Sequence, residues 1–502
     1  MKFLNKSSQT KLFFISGPLL FAFCLLLFSF CSLPFAFPQS PDRSKAPELG
    51  PPPALKLPAL QNLKLSNGLP VVLMEKHQLP LAQISLFVKT GSAFDPAGKT
   101  GLASLVTAML DEGAGARNAL QLADAIDFLG AEISAGAGMH ASSVSLNTPL
   151  MKLDSALALM ADVALRPAFA AEELERLRKE RLTTLLQWHD QPRSIASVMF
   201  NQTLFGTKHP YGLPALGDEK TLRSFGVADL KNFHAAYFRP NNATLIVVGA
   251  VTAKTILPKL EAAFGKWEAG KTPAVSWPTV AQVQKRQLWL VDKPGAAQSE
   301  IRIGRLGVPR LTEDYYALVV MNTILGGSFT SRLNQNLREK HGYSYGAGSS
   351  FVFRPQPGPF IASAGVQTSK TDSSLIEFMK ELNAIMQPVS DAELHRAKNY
   401  VALSFPQDFQ SLGQIAGQLE ELLAYDLPAE YFNNYLQRIL AVTKDDVLRV
   451  AKKYLDSEKI AIIVVGDRKV VEKGVRALNL GPLQVLTVEQ VLGKPPVLAG
   501  TD

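Results

Sequence analysis

Two polar residues in the second half of the chain, Arg338 and Tyr345, have types and a spacing that could do chemistry. They lie on either side of Gly342 in NLREKHGYSY (residues 336–345), where a charged helical pattern gives way to an alternating strand pattern. Glycine suits the left-handed residue that often ends a helix, so this corner can be tight. A guanidinium and a phenol can both donate hydrogen bonds to a developing oxyanion. The same string is also typical of an exposed helix end followed by a strand with a core tyrosine, and both interpretations stay open here.

The histidines and cysteines limit the metal chemistry of the chain. No two histidines lie within five residues of each other, so no helix presents two imidazoles one turn apart; they are His77, His140, His189, His209, His234, His341 and His395. Both cysteines, Cys24 and Cys31, lie in an apolar N-terminal segment. If that segment is removed, the protein has no disulfide, thiolate ligand or thiol nucleophile.

Composition indicates a large globular protein with two or more domains. The chain has 502 residues, of which 47% are hydrophobic and 19% are charged. Its net charge of +8 comes from basic residues that are spread along the chain without a run of five or six. This pattern argues against a nucleic-acid partner.

The N-terminus predicts export. Residues 1–36 combine a lysine-bearing start, a long apolar run and small residues near a plausible cleavage point after Ala36. The apolar run is also nearly long enough to span a bilayer as an uncleaved anchor. We therefore expect a protein that is periplasmic or anchored to the membrane facing the periplasm.

After a proline-rich tether, the second half of the chain repeats the first in order. Apolar strands that end in VVG close on Gly249 and on Gly466, and each is followed by an amphipathic helix. Upstream, EELERLRKERLTTLLQ matches AELHRAKNYVALSFPQ, so that Glu173 corresponds to Glu393. Strands arranged mostly as hairpins, with helices between them, predict an α+β fold in which each mostly antiparallel sheet is covered by helices on one face.

The repeat and the proline-rich breaks set the predicted domain boundaries. They are a signal peptide or anchor (1–36), a tether (37–60), a first domain (61–269), a linker (270–285), a second, homologous domain (286–485) and a C-terminal tail (486–502).

Several stretches resemble the insulinase/pitrilysin metallopeptidases, in particular the branch of processing-type peptidases. The resemblance rests on the tandem halves, on LSNGLPVVLMEK (residues 65–76) and on GGSFTSRLNQNLREKHGYSY (residues 326–345). It covers about residues 60–485. In this family two histidines and a glutamate of an H-x-x-E-H helix in the first half carry zinc chemistry, together with a distal glutamate ligand.

The corresponding helix here, GLASLVTAMLDEG (residues 101–113), has lost that motif. Aligned with the family pattern, the first histidine falls on Ser104, the base glutamate on Thr107 and the second histidine on Ala108. The distal glutamate falls near Thr183 or Thr184. The resemblance therefore implies that this chain holds no cofactor of its own, and that zinc is carried by a partner subunit.

The opening corner acquires a role from the same resemblance. In working members of the family an arginine and a tyrosine, seven residues apart, reach toward the substrate carbonyl, and Arg338 and Tyr345 stand at those positions. Tyr343 replaces Tyr345 if the corner shifts by two residues. Gly326, Gly327 and Ser328 match a glycine-rich turn in which the backbone can come close to a neighbour. The strand GPFIASAGVQ (residues 358–367) is expected to be an edge strand that could pair with a substrate strand, and His209, in a family-like HPYG loop, is expected to be structural.

The main functional hypothesis is a non-catalytic subunit of an exported two-chain peptidase. A sister chain with an intact zinc motif would form a heterodimer with this one and enclose unfolded peptides, and Arg338 and Tyr345 would complete its active site. The alternative is an inactive scaffold or peptide-binding protein of the same fold. A third hypothesis, a self-sufficient peptidase with a different set of ligands, also remains open.

Overall fold

The structure is a computed structural model and describes residues 57–498. The predicted signal peptide or anchor (1–36) lies outside the described residues, as do residues 37–56 of the predicted tether and residues 499–502 of the predicted tail. Between residues 57 and 498, no helix is long and apolar enough to cross a membrane.

The first half of the described chain forms a six-stranded sheet. Its order is β1-β2-β6-β3-β5-β4, in which β2 and β6 are parallel and every other neighbouring pair is antiparallel. The strands are β1 (Gln61–Lys64), β2 (Pro70–Glu75), β3 (Leu81–Val88), β4 (Glu132–Ala137), β5 (Ser142–Pro149) and β6 (Ala243–Gly249).

The second half forms another six-stranded sheet, of order β12-β7-β11-β8-β10-β9. Strand β7 is parallel to both β12 and β11, and the remaining pairs are antiparallel. The strands are β7 (Gln287–Asp292), β8 (Gln298–Leu306), β9 (Ser344–Phe351), β10 (Pro359–Gln367), β11 (Ala461–Gly466) and β12 (Leu483–Thr487).

The predicted α+β duplication is confirmed. Strands β2-β6-β3-β5-β4 of the first sheet have the same order and the same relative directions as β7-β11-β8-β10-β9 of the second. The remaining strand of each sheet differs between the two halves. Strand β1 comes before the shared five strands in sequence and runs antiparallel to β2, whereas β12 comes after them and runs parallel to β7. Residues 265–286, which include the predicted linker, contain no helix or strand.

The helices of the first half are α1 (Leu102–Ala108), α2 (Ala119–Phe128), α3 (Leu153–Leu165), α4 (Ala171–Trp188), α5 (Pro192–Phe205), α6 (Glu219–Ser224), α7 (Val227–Tyr237) and α8 (Ala253–Phe264). Those of the second half are α9 (Tyr315–Leu325), α10 (Arg332–Asn334), α11 (Thr371–Ala384), α12 (Asp391–Ser404), α13 (Leu412–Ala424), α14 (Tyr431–Ala441), α15 (Lys444–Tyr454), α16 (Arg468–Ala477) and α17 (Val488–Leu492). Helix α10 continues as a π-helical segment over Gln335–Lys340.

The two halves exchange one helix each. Helix α5 of the first half packs on β8 and β11 of the second sheet, and α13 of the second half packs on β3 and β6 of the first. The central strands of each sheet are therefore covered on both faces, and the prediction of helices on one face only was wrong. The physical reason lies in β6 and β11, where every residue is buried, as expected of strands enclosed on both sides.

Candidate functional site

The predicted helix-to-strand corner is tight, as the sequence indicated. Gly342 adopts a left-handed backbone with φ of 63°. Its amide donates to the Arg338 carbonyl at 3.0 Å, and the Tyr343 amide donates to the Leu337 carbonyl at 2.8 Å. A glycine reaches this conformation without steric cost, so the chain turns from the π-helical segment into β9 within a few residues.

Tyr345 lies at a β-bulge that turns its side chain away from the core. Ala347, Ser349 and Phe351 are buried, and strict alternation would place Tyr345 on the same side. However, the register shifts. Ser344 pairs with Val366 and Ala347 pairs with Ala364, so β9 has one residue more than β10 at this point. A bulge can redirect a side chain in this way, and the Tyr345 side chain is 90% exposed.

The exposed tyrosine lines an open cavity of about 890 Å³. Gly346, Gly348 and Gly365 form part of its sheet wall, and residues at the start of α5 and in the loop before β8 form the other walls. Among residues 57–498 no group hydrogen-bonds to the Tyr345 hydroxyl, which is therefore available to a ligand. These features contradict the interpretation of Tyr345 as a core residue.

Arg338 occupies the other side of the corner, but it does not line this cavity. Its guanidinium lies over the Phe329 ring at 4.5 Å from the centroid, and its Nε lies 3.5 Å from Glu339 Oε1. The side chain is 37% exposed. The substitute Tyr343 precedes β9 and stacks on the His341 ring at 4.9 Å. The structure thus places the predicted pair at one corner without bringing both into one cavity.

The glycine-rich turn packs directly against β9. The Gly326 carbonyl accepts a hydrogen bond from the Ser349 amide at 3.1 Å, and a Cβ at Gly326 would lie only 2.2 Å from that nitrogen. At Gly327 an added Cβ would lie 2.8 Å from Nδ2 of the Asn322 side chain. The Ser328 hydroxyl donates to the Thr323 carbonyl at 3.1 Å. Close backbone approach is therefore confirmed, and its partner is the strand that carries Tyr345.

The predicted edge strand is not at the edge. Residues 358–367 contain β10, which lies between β8 and β9 and is hydrogen-bonded on both sides. Its backbone therefore cannot accept a substrate strand, and that prediction was wrong. The edge strand beside β10 is β9, which pairs with β10 alone, and the opposite edge of the sheet is β12.

At the position of the lost first histidine, an arginine now binds Ser104. Arg181 of α4 donates to Ser104 Oγ at 2.8 Å and to the Ser104 carbonyl at 2.7 Å. The Ser104 hydroxyl in turn donates to the Ala215 carbonyl at 2.7 Å. A fixed cation with its hydrogen-bond partners therefore lies where the family motif would put a metal ligand.

Asp95 adds a partly buried carboxylate to the same region. Its two oxygens accept from the amides of Gly101 and Ala103, both at 2.7 Å, at the start of α1. Burial raises the pKa of Asp95 to about 7, against the opposing effects of these hydrogen bonds and the Arg181 charge. Burial likewise lowers the pKa of Arg181 to about 10.

The other lost positions offer nothing to a metal. The hydroxyls of Thr107, Thr183 and Thr184 each donate to a carbonyl four residues earlier in their own helix, at 2.8–3.1 Å. Ala108 has no polar atom. Over residues 57–498 no group of three His, Cys, Asp or Glu side chains could hold an ion. The residues present therefore do not fit the zinc of the family motif.

His209 is part of a buried aromatic cluster. It is 4% exposed, and its Nδ1 accepts from the Tyr211 amide at 3.0 Å. Its ring packs against Phe205, Tyr211 and Trp277. These contacts give His209 a structural role, as the sequence predicted.

Sequence reasoning missed Arg181 and Asp95, which lie near Ser104, and Arg193, which lines the Tyr345 cavity. Arg181 lies in the charged run ERLRKERL, where nothing distinguishes it from surface arginines. Arg193 opens α5 and lines the Tyr345 cavity only because that helix crosses to the second half.

Two family models match the chain in tandem. The one described as insulinase (peptidase family M16) matches residues 70–217, and the one described as peptidase M16 inactive domain matches residues 224–401.

Similar proteins and structures agree with these matches. A zinc protease from Rickettsia bellii (strain RML369-C), named as uncharacterized, is 24% identical over 410 residues, which span 80% of this chain and 96% of that protein. A similarly named protein from Streptomyces coelicolor is 25% identical over 410 residues, or 81% of this chain and 89% of that protein.

Among solved structures, a peptidase M16 inactive domain from Pseudomonas fluorescens aligns with a TM-score of 0.76 and 27% identity. The alignment covers 81% of this chain and 98% of that one. A protease from Helicobacter pylori aligns with a TM-score of 0.74 over 82% of this chain and all of that one, and at 21% identity it supports the fold alone.

Proposed function

The chain belongs to the insulinase (M16) family of peptidases, and we propose that it is the non-catalytic subunit of an exported two-chain zinc peptidase. A sister chain of the family would carry the zinc and form a heterodimer with this one. The substrates would be unfolded peptides held between the two chains. Tyr345 and Arg338 of this chain would contact the peptide.

The observation that carries the proposal is the exposure of Tyr345. A tyrosine stabilises a sheet mainly through the apolar ring area that it buries. Tyr345 is 90% exposed beside an open cavity, so its ring contributes little to the stability of the fold. The bulge that turns it outward also interrupts the strand ladder. Such a costly arrangement is expected where the phenol hydroxyl contacts a ligand.

The chemistry of the two side chains fits a peptide carbonyl. Zinc in the partner would polarise the carbonyl and activate water. The Tyr345 hydroxyl, which has no partner within the described part of the chain, can donate to the oxygen as negative charge develops there. Arg338 would leave the Phe329 ring and the weak contact with Glu339 to do the same.

The alternative function is an inactive peptide-binding or structural protein of the same fold. The contacts of Arg338 favour it, because the guanidinium already has a cation–π partner and does not line the Tyr345 cavity. A structural arginine at the end of a helical segment would have these same contacts.

Reconstitution with a zinc-bearing sister chain from the same source separates the two functions. We expect Tyr345→Phe and Arg338→Ala each to lower kcat on the order of 10²-fold, as found for other oxyanion donors, with a smaller change in KM. Tyr343→Phe is the matched control and should leave kcat unchanged. Gel filtration checks that each complex assembles. Unchanged kcat in both assembled variants would exclude the catalytic role, whereas turnover by this chain alone would favour the self-sufficient peptidase.

A further inference from the structure

The cavity beside Tyr345 has walls from both halves of the chain. The first-half wall consists of Asp190, in the turn after α4, and of Pro192 and Arg193 at the start of α5. The second half contributes Lys293, in the loop before β8, and Glu300 of β8. The opposite wall is the small-residue face of β9 and β10. The cavity therefore combines a peptide-sized space with several charged groups.

Two anions and two cations line this cavity, and Arg302, the ion-pair partner of Glu300, adds one further positive charge beside it. Asp190 Oδ1 pairs with Lys293 Nζ at 2.8 Å, and Glu300 Oε1 pairs with Nη2 of Arg302, two residues further along β8, at 3.2 Å. No ion pair or hydrogen bond engages the Arg193 side chain anywhere in residues 57–498. Arg193 thus has no carboxylate within ion-pair distance, although the Glu300 charge attracts it at longer range, and it is exposed to solvent on the rim of the cavity.

A second guanidinium, that of Arg302, lies beside the backbone of Arg193. Arg302 Nη2 donates to the Arg193 carbonyl at 3.4 Å, and the Arg302 Nε is buried without any hydrogen-bond partner. Burial and the nearby Arg193 charge both lower the pKa of the Arg302 guanidinium. Burial raises the pKa of Glu300, the carboxylate that interacts with both arginines. Two guanidiniums therefore share one carboxylate that is itself poorly solvated, which favours the approach of a further anion.

The sheet wall leaves room for that anion. A Cβ built at Gly346 would meet only Asn334 Oδ1, at 3.8 Å, and one at Gly365 would meet the Gln298 and Glu300 side chains at 3.3–3.4 Å. Glycine at both positions keeps the space between Tyr345 and the charged wall open.

We propose that this cavity binds a carboxylate group of a peptide through Arg193, so that the chain selects peptides with an acidic residue or a free C-terminus next to the segment at Tyr345. The proposal deepens the proposed function by naming a substrate class, and it rests on that function only in taking a peptide as the ligand. Carboxylate binding by a guanidinium is strong when the fork geometry can be met.

The test uses the full chain without any partner and three fluorescent peptides of one neutral sequence. One has a central glutamate and an amidated C-terminus, one has glutamine and a free C-terminus, and one has glutamine and an amidated C-terminus. Anisotropy should show about fivefold tighter binding of one or both carboxylate peptides, as expected for an exposed ion pair of about 1 kcal/mol. Which of the two binds tighter identifies the source of the carboxylate.

Arg193→Glu should abolish this preference and favour a peptide with a central lysine instead. Lys254→Glu, the same change of charge at an exposed position of α8, is the control and should keep the parent preference. Equal affinity for all three peptides, no binding of any, or an unchanged preference in Arg193→Glu would overturn the proposal. Because no zinc or partner takes part, a negative result here differs from unchanged kcat in the Tyr345 and Arg338 variants.

Discussion

Replacing Arg181 by methionine tests whether the guanidinium now stabilises the region that the family uses for zinc. Methionine keeps a similar stem length but removes both hydrogen bonds to Ser104. Hydrogen bonds from a charged donor contribute about 1.5–3 kcal/mol each, and the cost of burying the guanidinium offsets part of this. We therefore expect Arg181→Met to lower the free energy of unfolding by about 2 kcal/mol at pH 5.

The cost should grow with pH, because Asp95 charges. Its pKa of about 7 in the folded protein exceeds the value near 3.9 of an unfolded chain. Between these values the folded state holds a proton that the unfolded state has lost, so stability falls as pH rises through this window. Without the Arg181 charge, the pKa of Asp95 rises further and the fall continues above pH 7. At pH 8 the cost of Arg181→Met should therefore exceed its cost at pH 5 by about 1 kcal/mol or more, since one pKa unit corresponds to about 1.4 kcal/mol.

Urea unfolding followed by circular dichroism at pH 5 and pH 8 measures both values. Arg468→Met is the control, because Arg468 forms an exposed ion pair with Glu472 that solvent screens strongly at either pH. A cost for Arg181→Met equal to that of the control, or one that does not grow with pH, would refute the role of the guanidinium.

Two further predictions concern single positions. In the parent protein, Asp95 should lower the free energy of unfolding by up to about 1.4 kcal/mol per pH unit between pH 4 and pH 7. Asp95→Asn should remove this contribution, and unfolding curves across that range would show a flatter dependence of stability on pH. Gly346→Leu should leave the melting temperature nearly unchanged, because an added Cβ meets only Asn334 Oδ1 at 3.8 Å, yet it should weaken peptide binding at least severalfold by filling the Tyr345 cavity. Calorimetry and peptide anisotropy on the same sample check the second prediction, and a lower melting temperature with full binding would contradict it.

The duplicated fold was predictable because its signals are local. The two VVG-ending strands and the helices after them repeat in order, and they occupy equivalent places in the two sheets. Cover on the second face of each sheet was less evident. Its signal was the run LIVVG or IIVVG, apolar at every position, which indicates a strand buried on both sides but does not say which helix covers it.

The sequence predicted the tight corner at Gly342 but not the geometry around it. Gly342 marked the corner, but the alternation of SYGAGSSF places Tyr345 with the core residues, and only the pairing with β10 reveals the bulge. Similarly, the loss of the motif at Ser104 was evident from the sequence, whereas its contact with Arg181 joins residues 77 positions apart. Such contacts depend on tertiary packing, which leaves no periodic pattern.

The exchange of α5 and α13 has a consequence for how the protein folds. One face of β3 and β6 is covered by α13, which lies more than three hundred residues after β3 in the sequence. The first half therefore cannot bury that face of its sheet before most of the chain is available. Contacts of such long sequence separation slow folding and join the halves into one cooperative unit. Cutting the chain in residues 265–286 should therefore yield two fragments that need each other, in the manner of split-protein halves, rather than two autonomous domains.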